Sequence, residues 1–112
     1  MTNTNNNTNL KLIETFYDEV KTIVLERYYV DKDGLRQSLY EAFYEDGKPY
    51  IKSTYKNNKL NGLYELFHEN GQPNIKCTYK DGLKQGLFEW FDENGKLLIK
   101  CTYKNGIEIM QE

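Results

Sequence analysis

The feature that most restricts the fold is a unit of 24 residues that is repeated along the chain. Residues 62–71 (GLYELFHENG) return as residues 86–95 (GLFEWFDENG), and residues 75–82 return as residues 99–106 with a single Asp-to-Asn change. An earlier and less regular copy begins at Ser38. A fixed period of this length is typical of repeat architectures, in which each unit buries its apolar residues against its neighbours. With 112 residues, the chain is expected to form one domain.

Each copy contains an Asp-Gly or Asn-Gly dipeptide between alternating apolar residues, which is a strong β-hairpin signal. The three dipeptides lie at residues 46–47, 70–71 and 94–95. A two-residue type I′ turn needs positive φ at both positions, which Asn, Asp and Gly tolerate best. Such a turn pairs Glu65 with Lys76 and Tyr64 with Cys77, and the other copies pair in the same way. A three-residue loop would shift this register by one and mix the two faces, so we predict the two-residue turn.

This register sorts the side chains onto two faces. The first face is apolar and aromatic, and it carries Tyr40, Ala42, Ile51, Tyr55, Tyr64, Leu66, Ile75, Cys77, Tyr79, Phe88, Trp90, Ile99, Cys101 and Tyr103. The second face carries three Glu–Lys pairs, three threonines and a fringe of leucines and phenylalanines. We therefore predict an all-β fold, an elongated and twisted single-layer antiparallel meander of about three to four β-hairpin repeats.

The domain organisation follows from the repeat boundaries. Residues 1–9 are predicted to be a disordered Asn/Thr-rich tail, and residues 10–112 a single β-repeat domain. Within that domain we place a degenerate capping hairpin at 10–34 and repeats at 38–58, 62–82 and 86–106.

Two segments at the ends of the domain allow alternatives. Residues 10–30 fit a short amphipathic helix, but they also fit a degenerate hairpin. The β-branched run at 22–25 favours the hairpin, because such residues are poor helix formers. At the other end, residues 107–112 begin another repeat. This leaves 99–103 as an edge strand, open to pairing with another chain, unless the tail folds back over it.

The segment 79–95, YKDGLKQGLFEWFDENG, resembles a repeat of the MORN family (membrane occupation and recognition nexus) in its bacterial-style variant. The resemblance extends from Ser38 to Gly106, although Ser38 and Asn58 stand where the repeat prefers glycine. It implies a twisted sheet of successive hairpins that serves as a protein-interaction or dimerisation scaffold. Some members are proposed to contact lipids, and relatives of the variant are often labelled antitoxins. The motif itself brings no catalytic residues.

Charge and composition exclude several function classes. The 15 basic and 17 acidic side chains nearly cancel, so the basic patch that nucleic acid requires is not expected. No apolar run approaches the ~20 residues of a membrane span. The polar N-terminus lacks the apolar core of a signal peptide, so we predict a cytoplasmic location. The composition suits an AT-rich genome, bacterial or viral; for a virus, the location would be the host cytoplasm or the virion.

The two cysteines are expected to be reduced core residues. Cys77 and Cys101 occupy equivalent positions in neighbouring repeats, about 9–10 Å apart across two strand spacings. A disulfide needs Cα atoms closer than about 7 Å.

No group of residues indicates catalysis, a cofactor or a metal site. His68 is the only histidine and is expected to be an exposed strand-end residue. Glu41, Glu65 and Glu89 each face a lysine, so they are better explained as a solvated charged face than as catalytic carboxylates. We therefore predict no enzyme activity, no catalytic residue, no cofactor and no metal.

The predicted function is a non-catalytic scaffold module that binds protein, because a single-layer sheet leaves an aromatic face in need of cover. The interaction face consists of Tyr40, Tyr64, Leu66, Tyr79, Phe88, Trp90 and Tyr103. The partner is a second copy, which would give a homodimer, or a different protein; the edge strand is another route to either. Trp90 fits a core residue or an interface anchor. An antitoxin or immunity-type role, based on the family resemblance, is the alternative. Binding to anionic lipid is disfavoured because the glutamates neutralise the lysines.

Overall fold

The computed structural model describes residues 9–110, which form one nine-stranded sheet in which each strand pairs with its sequence neighbours. The strands are β1 (Lys11–Phe16), β2 (Val24–Val30), β3 (Arg36–Phe43), β4 (Pro49–Lys56), β5 (Lys59–Phe67), β6 (Pro73–Lys80), β7 (Leu83–Phe91), β8 (Leu97–Lys104) and β9 (Ile107–Ile109). All neighbouring pairs are antiparallel, and the body measures 54 × 35 × 21 Å. The predicted all-β single-layer meander is confirmed. Apart from Asn9, the predicted polar tail lies outside the described residues.

The predicted strand register is also confirmed in all three repeats. Glu65 pairs with Lys76 and Tyr64 with Cys77, as the alternation of polar and apolar residues requires. The equivalent pairs form between β3 and β4 and between β7 and β8.

The turns at the Asp-Gly and Asn-Gly dipeptides differ from the prediction. At residues 70–71 only Gly71 has a positive φ, of 90°, whereas a type I′ turn would require it at both positions. The His68 carbonyl accepts a hydrogen bond from Gly71 N at 2.9 Å, and His68 N donates to the Gln72 carbonyl at 2.9 Å. The loop therefore has three residues, and the predicted two-residue turn is wrong.

The register survives this longer loop because a β-bulge follows it. Phe67 pairs with Pro73 while Leu66 pairs with Ile75, so Asn74 is an extra residue on its strand. One extra residue in the loop and one in the bulge cancel, and the apolar side chains return to the same face.

Two-residue turns occur instead at the connections between repeats. Both central residues have positive φ, between 51° and 86°, as a type I′ turn requires. These turns are Asn57 and Asn58, Asp81 and Gly82, and Asn105 and Gly106.

Each type I′ turn is attached by two hydrogen bonds to the start of the hairpin that it follows. In the last repeat, Gly106 N donates to the Lys84 carbonyl at 2.8 Å, and Asn105 N donates to Gln85 Oε1 at 2.8 Å. The same pair of bonds joins the turn at 81–82 to residues 60–61 and the turn at 57–58 to residues 36–37. The residues that accept these hydrogen bonds lie at a second β-bulge, where Ser38, Gly62 and Gly86 have positive φ. These bonds fix the turn that leads into the next repeat to the start of the hairpin before it.

The N-terminal segment forms a hairpin, in which β1 pairs with β2. Its loop is longer than in the other repeats, since Tyr17 N donates to the Ile23 carbonyl. The carboxylate of Asp18 accepts hydrogen bonds from the backbone N of Thr22 and of Ile23, which closes the loop.

At the C-terminal end, the tail folds back over part of the predicted edge strand. β9 pairs with residues 102–104 of β8, so within the described residues the outer edge of β8 is open from Leu97 to Cys101.

The buried core is small and lies on the aromatic face. Ala42, Ser53 and Cys77 are the buried residues of the described chain, with 3–4% of their surface exposed. Aromatic rings flank two of them across the strands: Ser53 pairs with Tyr40 and Tyr64, and Cys77 pairs with Tyr64 and Phe88. Most of the remaining side chains of this face are half-buried, because the sheet has a single layer.

Candidate interaction surface

The aromatic face is built from one pair of rings in each repeat. Every pair packs edge to face across a hairpin, with centroids 5.6–5.8 Å apart and interplanar angles of 63–67°. The pairs are Tyr40 with Tyr55, Tyr64 with Tyr79, and Phe88 with Tyr103. Such pairs contribute about 0.5–1.5 kcal/mol each beyond the area they bury. They form a regular aromatic row across the sheet.

A cationic side chain covers the first and the third ring pairs. Arg36 lies over the first pair, 5.2 Å from the Tyr40 centroid and 5.4 Å from the Tyr55 centroid. Lys84 lies over the third pair, with Nζ 4.6 Å and 4.9 Å from the two centroids. Leu60 occupies the equivalent position in the second repeat. The two ends of the row are therefore cationic and the middle is apolar.

The predicted interaction residues all lie on this face. Tyr40, Tyr64, Leu66, Tyr79, Phe88, Trp90 and Tyr103 occupy the register positions that the sequence assigned to them. The pKa of Tyr40 is raised by burial and then by the hydrogen bond that its hydroxyl donates to Glu26. That these residues bind a partner stays a prediction.

Exposure on this face increases toward the C-terminal end of the sheet. Ala42 is 4% exposed and Leu66 is half-buried, whereas Trp90 in the third repeat is 41% exposed. Ile75 has Leu66 on one side and Trp90 on the other, whereas the equivalent residue of the next repeat, Ile99, is 43% exposed. Within the described chain, Ile99 has a cross-strand neighbour on one side only, because β9 does not extend that far. Trp90 is thus not a core residue.

Two further exposed leucines, Leu97 and Leu98, precede Ile99 in β8, where Leu97 pairs with Phe91 of the opposite face. The second repeat has Pro73 and Asn74 in their places, so the third repeat is the more apolar at its open end. We call Trp90, Leu97, Leu98 and Ile99 the terminal patch.

The opposite face carries a row of charges that alternate in sign over eight strands. Cross-strand pairing places them in the order Glu14, Arg27, Glu41, Lys52, Glu65, Lys76, Glu89 and Lys100. The 24-residue period predicts the last six of these but not Glu14 and Arg27, because the N-terminal hairpin departs from that period.

Few of these charges form close ion pairs. Arg27 Nε lies 2.9 Å from a Glu14 oxygen, and Arg27 Nη1 lies 3.9 Å from Glu41. Among the described residues, the three predicted Glu–Lys pairs face each other without an N···O distance below 4 Å. Solvated lysines at such positions contribute little to stability.

Next to the charges runs a row of exposed leucines. Leu39, Leu63 and Leu87 are each 41–51% exposed and pair with Thr54, Thr78 and Thr102 respectively. The phenylalanines of the predicted apolar fringe are half-buried.

His68 is not the exposed residue that the sequence predicted. It is half-buried, and its Nε2 lies 2.9 Å from the Phe91 carbonyl of the next repeat. The hydroxyl of Tyr44, 24 residues earlier, donates to the Phe67 carbonyl at 2.6 Å in the same way. His68 therefore joins two repeats. The sequence carried a signal for this role, since Tyr44 and His68 share a position, but not for its partner.

The side chains of the described residues that could bind a metal ion do not cluster. No three His, Cys, Asp or Glu side chains of residues 9–110 lie close enough together to hold a metal ion. Cys77 and Cys101 are both free, and burial raises the pKa of the Cys77 thiol. Nor does the described chain contain a helix long and apolar enough to cross a membrane.

Comparison with known families gives one match. The model of the MORN repeat variant matches residues 32–57, 60–81 and 84–105, which together make up more than half of the chain. These three segments coincide with the three hairpin repeats of the sheet. No curated protein matches the chain significantly.

Proposed function

The chain belongs to the MORN repeat family, whose repeats generally mediate protein or membrane-lipid interactions, and we propose that this member binds a protein through the terminal patch. The family is generally non-enzymatic, and its repeats suggest a non-catalytic binding module. The observation that carries the proposal is the 41% exposure of Trp90 at a position where the first repeat has buried Ala42.

The physical argument rests on apolar exposure concentrated at one end of the sheet. The four side chains of the terminal patch are each 41–49% exposed, and Trp90 pairs directly with Ile99 in the β7–β8 hairpin. Contiguous exposed apolar groups of this kind mark interaction sites, and tryptophan is enriched among the residues that dominate binding energy. The adjacent open edge of β8 adds unpaired backbone groups that can hydrogen-bond an incoming strand.

The charge pattern favours a protein partner over an anionic lipid surface. The row on the opposite face contains four acidic and four basic side chains in strict alternation. Anionic lipids are recognised by clusters of basic residues, which this row does not provide. A second copy of the chain is the simplest protein partner, since identical patches can pair about a two-fold axis.

Trp90 gives a direct test, because it is the only tryptophan. Its fluorescence should shift to shorter wavelength as protein concentration rises, in step with an increase in mass measured by light scattering. The double variant Trp90→Ser, Ile99→Ser should remain monomeric in the scattering experiment while its circular dichroism stays β-rich. The matched control is Leu39→Ser, Leu63→Ser, which removes two equally exposed apolar side chains from the opposite face.

Retained association in the patch variant would refute the role of the terminal patch. A wild-type chain that stays monomeric at all concentrations would refute self-association and leave a different protein as the partner.

A further inference from the structure

A second surface, at the opposite end of the aromatic row, has the composition of an anion site. Arg36 lies in an open depression of about 470 Å³. Its lining residues are Tyr28, Val30, Gly34, Arg36, Tyr55 and Asn58. We call this the Arg36 depression. It does not overlap the terminal patch, so the inference drawn from it is independent of the proposed function.

Three tyrosine rings surround the guanidinium group. The Arg36 Cζ atom lies 4.5 Å from the Tyr28 centroid, 5.2 Å from that of Tyr40 and 5.4 Å from that of Tyr55. The rings hold the planar group in place and shield part of it from water. Both effects strengthen its interaction with an anion that approaches the open side.

Arg36 has no carboxylate partner among the described residues. The other arginine, Arg27, lies within 4 Å of both Glu14 and Glu41, whereas none of the ion pairs includes Arg36. Glu26, which binds the hydroxyl of Tyr40, is already engaged, because it accepts hydrogen bonds from Thr15 and from Tyr40.

Asp31, in the neighbouring turn, is engaged as well. Its carboxylate accepts hydrogen bonds from Leu35 N at 3.0 Å and from Gln37 Nε2 at 3.0 Å. The positive charge of Arg36 is therefore not neutralised by a direct contact within the described chain.

The other polar groups of the depression are donors. Asn58 is held by the Arg36 backbone, since Asn58 Oδ1 accepts from Arg36 N at 2.8 Å and Asn58 N donates to the Arg36 carbonyl at 3.0 Å. Because the side-chain oxygen is used in this way, the Nδ2 group of Asn58 remains as a donor. The hydroxyls of Tyr28 and Tyr55 donate to no group of the described residues. One fixed cation and three further donors thus line a single concavity.

The geometry points to an oxyanion site in the Arg36 depression, in which the Arg36 guanidinium binds a carboxylate or phosphoryl group of a ligand. A planar guanidinium offers two parallel N–H donors that match two oxygens of such a group, and these charge-assisted bonds are about twice as strong as neutral ones. The tyrosine hydroxyls and the Asn58 amide would complete the set of donors around the bound oxygens.

The repeats provide an internal comparison. The second repeat has Leu60 in place of Arg36, and the third has Lys84 with Phe88 in place of Tyr40 and Gly106 in place of Asn58. Only the first repeat therefore combines the planar cation with the tyrosines and the amide.

The two arginines allow a direct test by nuclear magnetic resonance. Arg27 and Arg36 are the only arginines of the chain, so the ¹⁵N spectrum should show two side-chain Nε–H signals. Inorganic phosphate and acetate are titrated separately at constant ionic strength, with chloride as the balancing anion. The Arg36 signal is expected to shift and saturate with at least one of the two anions, while the Arg27 signal changes little because Arg27 is paired with Glu14. Tighter saturation by phosphate would assign a phosphoryl ligand, and tighter saturation by acetate a carboxylate.

Repeat-matched variants separate binding from packing. Arg36→Leu installs the residue of the second repeat, which keeps an apolar cover over the rings, and should abolish the saturable shifts of neighbouring backbone amides. Arg36→Lys keeps the charge but loses the planar fork; losing one bond to a charged group predicts binding about 10-fold weaker or more. Lys84→Leu removes the equivalent cation of the third repeat and should leave binding unchanged.

Parallel, unsaturable shifts of both arginine signals would overturn the proposal, as would unchanged anion binding in Arg36→Leu. Should Arg36→Leu fail to fold, equal affinity of Arg36→Lys and the wild type would overturn it instead.

Discussion

Replacing Ser38 with glycine should stabilise the protein, although it deletes a side chain. Ser38 has a φ of 71°, a left-handed conformation that is unfavourable for residues with a Cβ atom. The other two repeats have Gly62 and Gly86 at this position, with φ of 122° and 89°. Ser38 is exposed, and its hydroxyl makes no hydrogen bond with the described residues, so little contact energy is lost on substitution.

The size of the effect follows from two opposing terms. A left-handed conformation costs an ordinary residue roughly 1–2 kcal/mol, and glycine removes this cost. Glycine also has more conformational freedom in the unfolded chain, which lowers the free energy of unfolding by about 0.5–1 kcal/mol. The net gain for Ser38→Gly is therefore about 0.5–1 kcal/mol, which raises Tm by about 2–6 °C for a domain of this size.

The reciprocal substitutions make the argument quantitative. A Cβ atom added at Gly86 would meet nothing within 4 Å, so Gly86→Ser should lose only the backbone term, about 0.5–1 kcal/mol. At Gly62 the added Cβ would lie 3.4 Å from the Cβ of Thr54, so Gly62→Ser should cost more than Gly86→Ser. Urea unfolding followed by circular dichroism measures all three free energies of unfolding. Destabilisation by Ser38→Gly, or a neutral Gly86→Ser, would refute the reasoning, because both would show that φ is not the source of the cost.

Three further predictions concern single hydrogen bonds and buried groups. His68→Phe should lower the free energy of unfolding by about 1 kcal/mol in urea titrations, because it removes a bond to the next repeat, whereas His68→Tyr should be nearly neutral; equal losses in both variants would contradict this. The hydrogen bond from Gln37, followed by backbone bonds, lowers the pKa of Asp31 in the folded protein. The ionised carboxylate therefore stabilises the fold above the pKa of the unfolded chain, and this stabilisation is lost as pH falls below about 4. Thermal melts of Asp31→Asn should show a weaker acid dependence than those of the wild type. Ser53→Cys should raise the free energy of unfolding by about 1 kcal/mol in urea, because the buried Ser53 hydroxyl has no partner in the described chain and the next repeat has Cys77 there; a loss of stability would contradict it.

The strand register could be predicted from the sequence because one face of the sheet is more buried than the other. Shifting Tyr64 by one residue would expose it and turn Glu65 toward the apolar face, so the alternation alone selects the pairing. The same argument could not select the turn. A three-residue loop at Asn70 and Gly71 followed by a bulge at Asn74 gives the same pairing as a two-residue turn without a bulge. The register is determined by the loop length and the bulge together, and the sequence pattern reveals only their combined effect.

The contacts between repeats were missed for a different reason. His68 and Tyr44 differ in side chain but use the same geometry, with a polar atom at the tip of the side chain bound to a backbone carbonyl of the next repeat. Side-chain periodicity carries no information about carbonyl acceptors, since every residue has one. Likewise, the positive φ of Ser38 and Asn58 became visible only in the backbone, although their glycine equivalents in later repeats pointed to it.

The two ends of the aromatic row differ because, within the described residues, different elements flank them. An internal repeat partly buries its ring pair and its central column between adjacent hairpins, as Leu66 and Ile75 show. At the N-terminal end, the β1–β2 hairpin takes the place of a neighbour, and Tyr28 and Arg36 cover Tyr40 with polar groups. At the C-terminal end β9 has only three residues. The same repeat thus produces a polar concavity at one end and exposed apolar side chains at the other. A substitution that affects one end should leave the other unchanged, because in repeat proteins coupling passes mainly between nearest neighbours.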